Sequence, residues 1–387
     1  MDFMNKFSDN SLQKHIHIIC LDIPYPADYG GMFDLFYKLP ALHKAGIKIY
    51  LHCWKKDRAE QPALNEYCEE VHYYTRSSFS KGWGSGLPHI VASRSSDVLI
   101  NRLLQDDHPI LMEGVHCTAP VWDKRLNARK KMVRMHNVEQ QYYDYLFRYA
   151  SNIFRKIYYR REASLLKKYE QSLAGKVDAL LAVTPADAGF YRTALFAEHA
   201  YFLPLFLPAW TVNAQPGMGT YCLYHANLGV DENEYTAAWL LKNVFNECGV
   251  PLVIAGKNPS AKLQRLAHRH THTCLVADPS EEQMQDMILK AHLHILPSFS
   301  QSGIKLKLIN ALYNGRHCIV NDDMVAGTKF SSLCHIANTP EAMREIVAQI
   351  FHQPFTEDEI QMRKHVLQDE FNNDANAQQM INWIWGE

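Results

Sequence analysis

The sequence predicts an α/β protein built as two consecutive parallel-sheet lobes with a cleft between them. Three observations carry that expectation. A chain of 387 residues suffices for two domains, each with its own core, at roughly 100–200 residues per domain. Short apolar runs rich in β-branched residues alternate with helix-period segments, as βαβ units and parallel sheets require. A stretch dense in Pro and Gly, from Leu203-Pro-Leu-Phe-Leu-Pro208 through Gln215-Pro-Gly-Met-Gly219, interrupts this alternation, which then starts afresh.

The first run, His15-Ile-His-Ile-Ile-Cys-Leu21, ends at Asp22-Ile-Pro-Tyr-Pro26 and reads as a buried parallel strand. A loop with Gly30 and Gly31 leads into a helix over about 33–45, closed by Gly46 as its C-terminal cap. Strands are expected at 47–51, 110–112, 131–135 and 179–183, with the longest helix over about 152–173. After the linker, strands are expected at 221–224, 251–255, 273–276, 291–296 and 318–320. Helices over about 234–246, from 261, from 280 and over about 303–313 lie between them. A last helix, 374–385, puts Met380, Ile381, Ile384 and Trp385 on one face and is expected to pack back across the lobes. The expected division is a first lobe at 1–205, a linker at 206–219, a second lobe at 220–370 and the returning helix at 371–387. Open α/β sheets bind ligands at the carboxyl ends of their strands, so the cleft is the expected site.

Composition narrows the function classes. With 47% hydrophobic and 11% aromatic residues the chain is neither low-complexity nor disordered. It contains no run of about 18 uncharged apolar residues, so no membrane-spanning helix is expected. Residues 1–14 are polar and mixed in charge, without the pattern of a secretory signal, and the expected location is the cytoplasm. Nine cysteines scattered without a C-x-x-C pair read as reduced thiols, not as a disulfide framework or a zinc ribbon. The net charge of −1 conceals +7 over residues 1–176 and −8 over 177–387. A basic half fits phosphates or an anionic membrane surface, and equally ordinary surface variation. Residues 148–176 hold eight basic and two acidic residues with Tyr142, Tyr143, Tyr158 and Tyr159 nearby. That segment reads either as a helix resting on anionic lipid at the inner face of the membrane or as a solvated face covering the sheet. No nucleic-acid partner is expected. His268-Arg-His270-Thr-His272 resembles a metal cluster, but alternate residues at a helix end converge poorly, and no metal site is expected.

Two loops are candidates for chemistry. Pro24-Tyr-Pro-Ala-Asp-Tyr-Gly30-Gly31 allows close backbone approach at a helix amino end, but it is not the G-x-G-x-x-G dinucleotide fingerprint. Ser298-Phe-Ser-Gln-Ser-Gly303 runs into Ile304-Lys305-Leu-Lys307-Leu-Ile-Asn310. Free amides, the helix dipole and two ammonium groups there would form a cradle for a diphosphate. The alternative is a solvated lysine pair.

These pieces together resemble a family 4 glycosyltransferase with the GT-B fold of two facing Rossmann-like lobes. The subgroup matched is the one with an H-N-V-E motif in the first lobe. The resemblance runs over about residues 14–370. It rests on the Asp22–Gly31 loop, Arg134-Met-His136-Asn137-Val-Glu139, Ala182-Val-Thr-Pro-Ala-Asp187, Val253-Ile-Ala-Gly-Lys-Asn-Pro259 and Gly303 to Leu312 with Gly315. It implies a nucleotide-diphosphate sugar held mainly by the second lobe and a glycan or lipid-linked acceptor held mainly by the first. Transfer of a hexose-type sugar would proceed with retention, in polysaccharide biosynthesis, with no cofactor beyond the donor. Carried over by position, Gly30, Gly31, Gly256, Lys257, Ser302, Gly303 and Asn310 would bind the donor. Lys305, Lys307, His116 and Glu113 would be catalytic, and His136, Asn137 and Glu139 would meet the acceptor. Ser302 and Asn310 stand where the family commonly has two glutamates, and His225-Ala-Asn-Leu-Gly229 lacks the family's usual Arg and Lys. A non-catalytic GT-B scaffold or partner subunit, and a sugar-nucleotide epimerase, therefore stay open.

Overall fold

The computed structural model describes residues 13–27, 30–77, 86–150, 152–300, 303, 305–367 and 370–386. Its first sheet contains β1 (His15–Cys20), β2 (Lys48–Lys55), β3 (Glu70–Thr75), β4 (Ile110–Glu113), β5 (Lys131–Met135), β6 (Ala179–Ala182) and β7 (Ala200–Phe202). These seven strands lie in the order β3-β2-β1-β4-β5-β6-β7, every pairing parallel. The second sheet contains β8 (Cys222–His225), β9 (Leu252–Gly256), β10 (Thr273–Ala277), β11 (Leu293–Ile295), β12 (His317–Val320) and β13 (His335–Ile336). Their order is β10-β9-β8-β11-β12-β13, again all parallel. The two-lobe parallel α/β architecture expected from the sequence is the one observed.

The central strands are almost continuously buried and rich in apolar residues because helices cover both faces of each sheet. Alternate residues serve opposite layers: Ile19, Met112 and Val133 pack to one side, Ile18, Leu111 and Leu181 to the other. Gly46 closes the Gly30–Lys44 helix at φ +83°, with Gly46 N–H donating to His43 O and Ile47 N–H to Leu42 O, a Schellman cap.

Several boundaries differ from expectation, each for a local reason. The first helix starts at Gly30, three residues early, so both glycines lie in its first turn. The helix expected from 303 begins at Leu306, because Gly303 sits at φ +70°, outside helical space. The helix expected over 234–246 is Asp231–Asn243, its first turn holding Asp231, Glu232 and Glu234 where acids suit the dipole. β3, β7 and β13 are additional strands: β3 is half-exposed and begins with Glu70, and β13 spans only two residues.

The C-terminal helix Asn373–Trp385 buries Ala377, Met380, Ile381 and Ile384 in the core of the first lobe. The Asn373 side chain accepts from Leu207 N–H at 3.0 Å and donates to Leu207 O at 2.7 Å, pinning this helix to the connecting segment. Where that segment enters the second lobe, Gly217 and Phe355 exchange backbone hydrogen bonds of 2.8 and 3.0 Å. Among the described residues no helix is long and apolar enough to cross a membrane.

Candidate active site in the interlobe cleft

In both sheets the chain order reverses beside the first strand, between β1 and β4 and between β8 and β11. Loops leaving such a switch point diverge and open a crevice. The lobes meet there. A Cβ on Gly303 would lie 2.8 Å from His136 O and 2.2 Å from Asn137 Oδ1, so this approach admits only glycine. The Gly303 amide donates to Asp187 Oδ2 of the first lobe at 3.1 Å. Asp187 is aimed by the helix Pro185–Ala194, whose cap Thr184 accepts from Asp187 N–H.

Under the first lobe's side of the cleft lies a buried charge cluster. Arg134 on β5 binds Asp34 with both arms of its guanidinium, at 2.9 and 2.8 Å, and also donates to Leu203 O and Pro204 O. Lys38, one helical turn from Asp34, donates to Asp34 and to Glu113 at the end of β4. His136 donates from Nε2 to Glu113 Oε2 at 3.0 Å. Asp34, Lys38, Glu113 and Arg134 are fully buried, and their charges cancel in pairs. Burial alone would raise the Asp34 carboxyl, but Arg134 and Lys38 outweigh it and hold the group well below the carboxylate range. Burial acts on Glu113 in the same sense and is overcome by Lys38 and then His136. Asp34, Glu113 and His136 are close enough together to surround a cation. The carboxylates already hold Lys38 and Arg134, and the His136 ring turns its two nitrogens toward this cluster, Nε2 to Glu113 and Nδ1 to Asp34.

His116 follows β4 in the turn Val115–Cys117, and among the described residues its Nδ1 has no hydrogen-bond partner. Burial, then the charges of Arg94 and His136, push its pKa well down, so it is a neutral imidazole. Glu139 does not open on the cleft. Its carboxyl lies inside the first lobe, 3.4 Å from Asn137 Nδ2, while Glu170 caps the same helix by accepting from Glu139 N–H and Gln140 N–H. Burial, then Glu170, raises Glu139 to about 8.

On the second lobe's side a cavity of about 310 Å³ lies at the carboxyl ends of β8 and β9. Gly256, Lys257, Lys307 and Asn310 line it from this lobe, and Phe33 and Trp210 from across the cleft and the linker. Lys305 is the cap residue of the helix Leu306–Asn314 and Lys307 lies in its first turn, so the two side chains leave the backbone in different settings. Lys307 donates to Asn233 Oδ1 at 3.3 Å and lies 5.3 Å above the Tyr224 ring. Burial lowers Lys307 to about 8, with Glu232 acting against the shift and Lys305 adding to it. Burial lowers Lys305 as well, opposed by Glu232, Asp187 and Asp323. Asn310 accepts from Asn314 Nδ2 at 2.8 Å. Ser302 lies outside the described residues.

The glycines divide by cause. A Cβ at Gly256 would collide with Ala226 O at 1.8 Å, so this glycine serves the packing of β8 against β9. At Gly31, among the described residues, no atom lies within 4 Å of an added Cβ. Among the described residues, the first turn of that helix carries no acidic residue, which suits an anion at its amino end.

Several site residues escaped the sequence reading. Asp34 and Lys38 carried a signal, an acid and a base one turn apart on an otherwise apolar helix. His225 carried none, yet it ends β8 in the cavity wall with its Nε2 unpartnered among the described residues, and burial followed by Lys307 lowers it to about 3. Phe33 and Trp210 carried no signal that set them apart from the chain's other aromatics.

No family model matches the chain. A relative described as an uncharacterized 44.6 kDa protein in the cps region of Klebsiella pneumoniae is 26% identical over 321 residues, covering 77% of this chain and 80% of that protein. Solved structures match over nearly the whole length. An α,α-trehalose-phosphate synthase (UDP-forming) from Burkholderia xenovorans, in complex with glucose-6-phosphate, aligns with TM-score 0.63 at 10% identity, covering 96% of this chain and 99% of that one. TarM aligns with TM-score 0.66 at 11% identity, covering 97% and 100%. The GtfA/B complex aligns with TM-score 0.61 at 12% identity, covering 97% and 100%. At such identities the likeness is one of fold, and the chain has the GT-B fold.

Proposed function

We propose that the protein is a glycosyltransferase that moves a hexose-type sugar from a nucleotide-diphosphate sugar to a glycan or lipid-linked acceptor, with retention, as family 4 enzymes do. One observation carries the reading: a cavity with Lys307 in its wall opens at the carboxyl ends of the second sheet, and Lys305 lies close enough to add to the Lys307 shift. The first-turn lysines and the helix amino end would hold the departing diphosphate. The helix amino end at Gly31 would receive donor oxygens from the other side. Glu113, tied to Lys38, acts through His136, and neutral His116 offers an unpartnered nitrogen to a sugar hydroxyl. Likeness of fold to a trehalose-phosphate synthase and to TarM supports this chemistry, as does a relative from a cps region for a role in polysaccharide biosynthesis.

The same reading places the protein in the cytoplasm, at the inner face of the membrane. The helix Ile153–Ala174 begins with Ile153, Phe154 and Ile157, exposed at 62%, 79% and 58%, beside Lys156 and an Arg155 paired with Asp231. Such a basic, apolar helix start suits an anionic lipid surface. Sedimentation with anionic and with neutral vesicles tests it, and equal recovery with both refutes it.

A non-catalytic scaffold is favoured by one observation, the Asp187 carboxylate already bonded to the Gly303 amide. Both readings meet in one experiment. Nucleoside diphosphate at about 100 times its dissociation constant stabilises the folded state by roughly 2.7 kcal/mol, seen as a raised thermal midpoint. Release of nucleotide from a panel of nucleotide sugars establishes transfer or hydrolysis. Binding without release establishes the scaffold. No shift with uridine or guanosine diphosphate at millimolar concentration removes the donor site.

A further inference from the structure

At the opposite end of the second sheet from the cleft, His317 opens β12, His335 opens β13, and Glu359 stands on the helix Glu357–Leu367. One ligand atom from each lies within 4.8 Å of the other two. His317 Nδ1 is 3.3 Å from Glu359 Oε1 and 3.4 Å from His335 Nε2. Bonds of about 2.0–2.1 Å in tetrahedral geometry place neighbouring ligand atoms about 3.3–3.5 Å apart. The two separations match the edges of a zinc tetrahedron.

Hydrogen bonding prepares two of these atoms, His317 Nδ1 and Glu359 Oε1. His317 Nε2 lies 3.3 Å from Gln353 O, a carbonyl that only accepts, so Nε2 carries the ring proton and Nδ1 of the neutral ring presents a lone pair. Thr356 N–H and Oγ1–H both donate to Glu359 Oε2 at 2.8 Å, which turns Oε1 toward the histidines. The Nδ1 lone pair faces a carboxylate oxygen at 3.3 Å and His335 Nε2 at 3.4 Å, so either the Nε2 proton of His335 or a cation has to occupy the space between them. Arg363, one turn further along the helix, directs its guanidinium to Leu312 O and Gly315 O. His292, which packs edge-on against His317, has both nitrogens engaged by Gly219 N–H and Ile350 O.

We propose that His317 Nδ1, His335 Nε2 and Glu359 Oε1 form a binding site for a divalent transition-metal cation of the zinc class, with water as the fourth ligand. Two neutral imidazoles and one carboxylate are a borderline-soft set suited to zinc rather than to magnesium or calcium. The side chain of Glu359, 35% exposed, gives the entry path. The three ligands come from three elements, separated in sequence by 18 and 24 positions, so no spacing motif announces them. The ion would fasten the helix Glu357–Leu367 to the sheet edge beside Phe355, whose ring packs on His317 and whose backbone pairs with Gly217 at the end of the linker. The site is independent of the transfer reaction.

The test is calorimetric titration of the full-length, chelator-treated protein with Zn²⁺, in a background where His268, His270 and His272 are replaced by Asn to remove the exposed cluster. One ion per chain is expected, with a raised thermal midpoint. Glu359→Gln and His335→Asn should each weaken binding by more than the roughly 10–100-fold that loss of an outer-shell partner costs. Circular dichroism of each variant checks folding, and Co²⁺ in the unsubstituted protein should give the visible absorption of tetrahedral coordination. Zn²⁺ affinity unchanged in both folded variants, or no binding at micromolar concentration, overturns the proposal.

Discussion

Replacing Lys307 by Met separates a diphosphate ligand from a solvated lysine, because the two roles give opposite signs. In the free protein Lys307 is held near a pKa of about 8 against an ordinary 10.5, chiefly by burial. At 1.36 kcal/mol for each pKa unit, keeping that ammonium charged at neutral pH costs the folded state about 3 kcal/mol. Its contact over the Tyr224 ring and its bond to Asn233 Oδ1 return about 0.5–1.5 kcal/mol each. Methionine keeps most of the side-chain packing, so the variant should be more stable than the parent by about 1 kcal/mol in urea unfolding. Affinity for a nucleoside diphosphate, read by calorimetry, should fall roughly 10- to 150-fold with loss of one charge-assisted hydrogen bond. The parent carries a matching pH signature. Between about pH 8 and 10.5 the unfolded chain holds the Lys307 proton and the folded one does not, so raising pH across that window stabilises the free protein. Over the same rise the diphosphate loses its ammonium partner and binds less tightly. Both trends should vanish in the methionine variant. A variant that is less stable and binds the diphosphate as well as the parent refutes the reasoning.

Lys38→Met leaves Glu113 buried without its cation and should cost about 3–5 kcal/mol of stability by denaturant unfolding, whereas Arg125→Met, at an exposed pair with Asp123, should leave the unfolding midpoint nearly unchanged. Asp187→Asn removes the carboxylate on the Gly303 amide and should tighten nucleoside diphosphate binding in calorimetry; weaker binding would make Asp187 part of the ligand site. Gly256→Ala should destabilise the second lobe by about 1–3 kcal/mol or more in thermal unfolding, since the new Cβ meets Ala226 O at 1.8 Å. Glu139 is raised to about 8 in the folded state, so between about pH 4.5 and 8 the folded chain holds the extra proton and this group's contribution falls as pH rises. Glu139→Gln should therefore gain stability over the parent progressively across that window in parallel melts at stepped pH.

How far the sequence reveals this molecule depends on how each element is buried. β1, β4, β5 and β6 are covered on both faces and almost wholly buried, with apolar residues predominating, and their expected bounds fall within a residue of those observed. β3 reads Glu70-Val-His-Tyr-Tyr-Thr75 at the sheet edge and β13 is two residues long; neither leaves an apolar run to find. The lysines of the candidate site are legible because they follow a glycine at a helix start. Their setting is not, because Asn233, Tyr224 and Glu232 reach them from β8 and the helix after it. The charge cluster beside His136 is hidden in the same way. Asp34 and Arg134 are 100 positions apart in sequence and meet only because β5 lies two strands from β1, over which the Asp34 helix packs.

The charge asymmetry along the chain gains a physical meaning from the contact between lobes. Arg155 at the start of the long basic helix pairs with Asp231 of the second lobe at 2.9 Å, and Tyr159 donates to the same carboxylate. Beside them Tyr149 packs on Tyr235 and Phe299, so the basic and acidic lobes are joined by an ion pair set against an aromatic cluster. The next point of contact is Gly303 against Asn137, where even a methyl group has no room. On the other edge the cavity is walled by Phe33 and Trp210. On the proposed reading a nucleotide sugar would enter from that edge, its base against the two aromatic rings and its diphosphate toward Lys307.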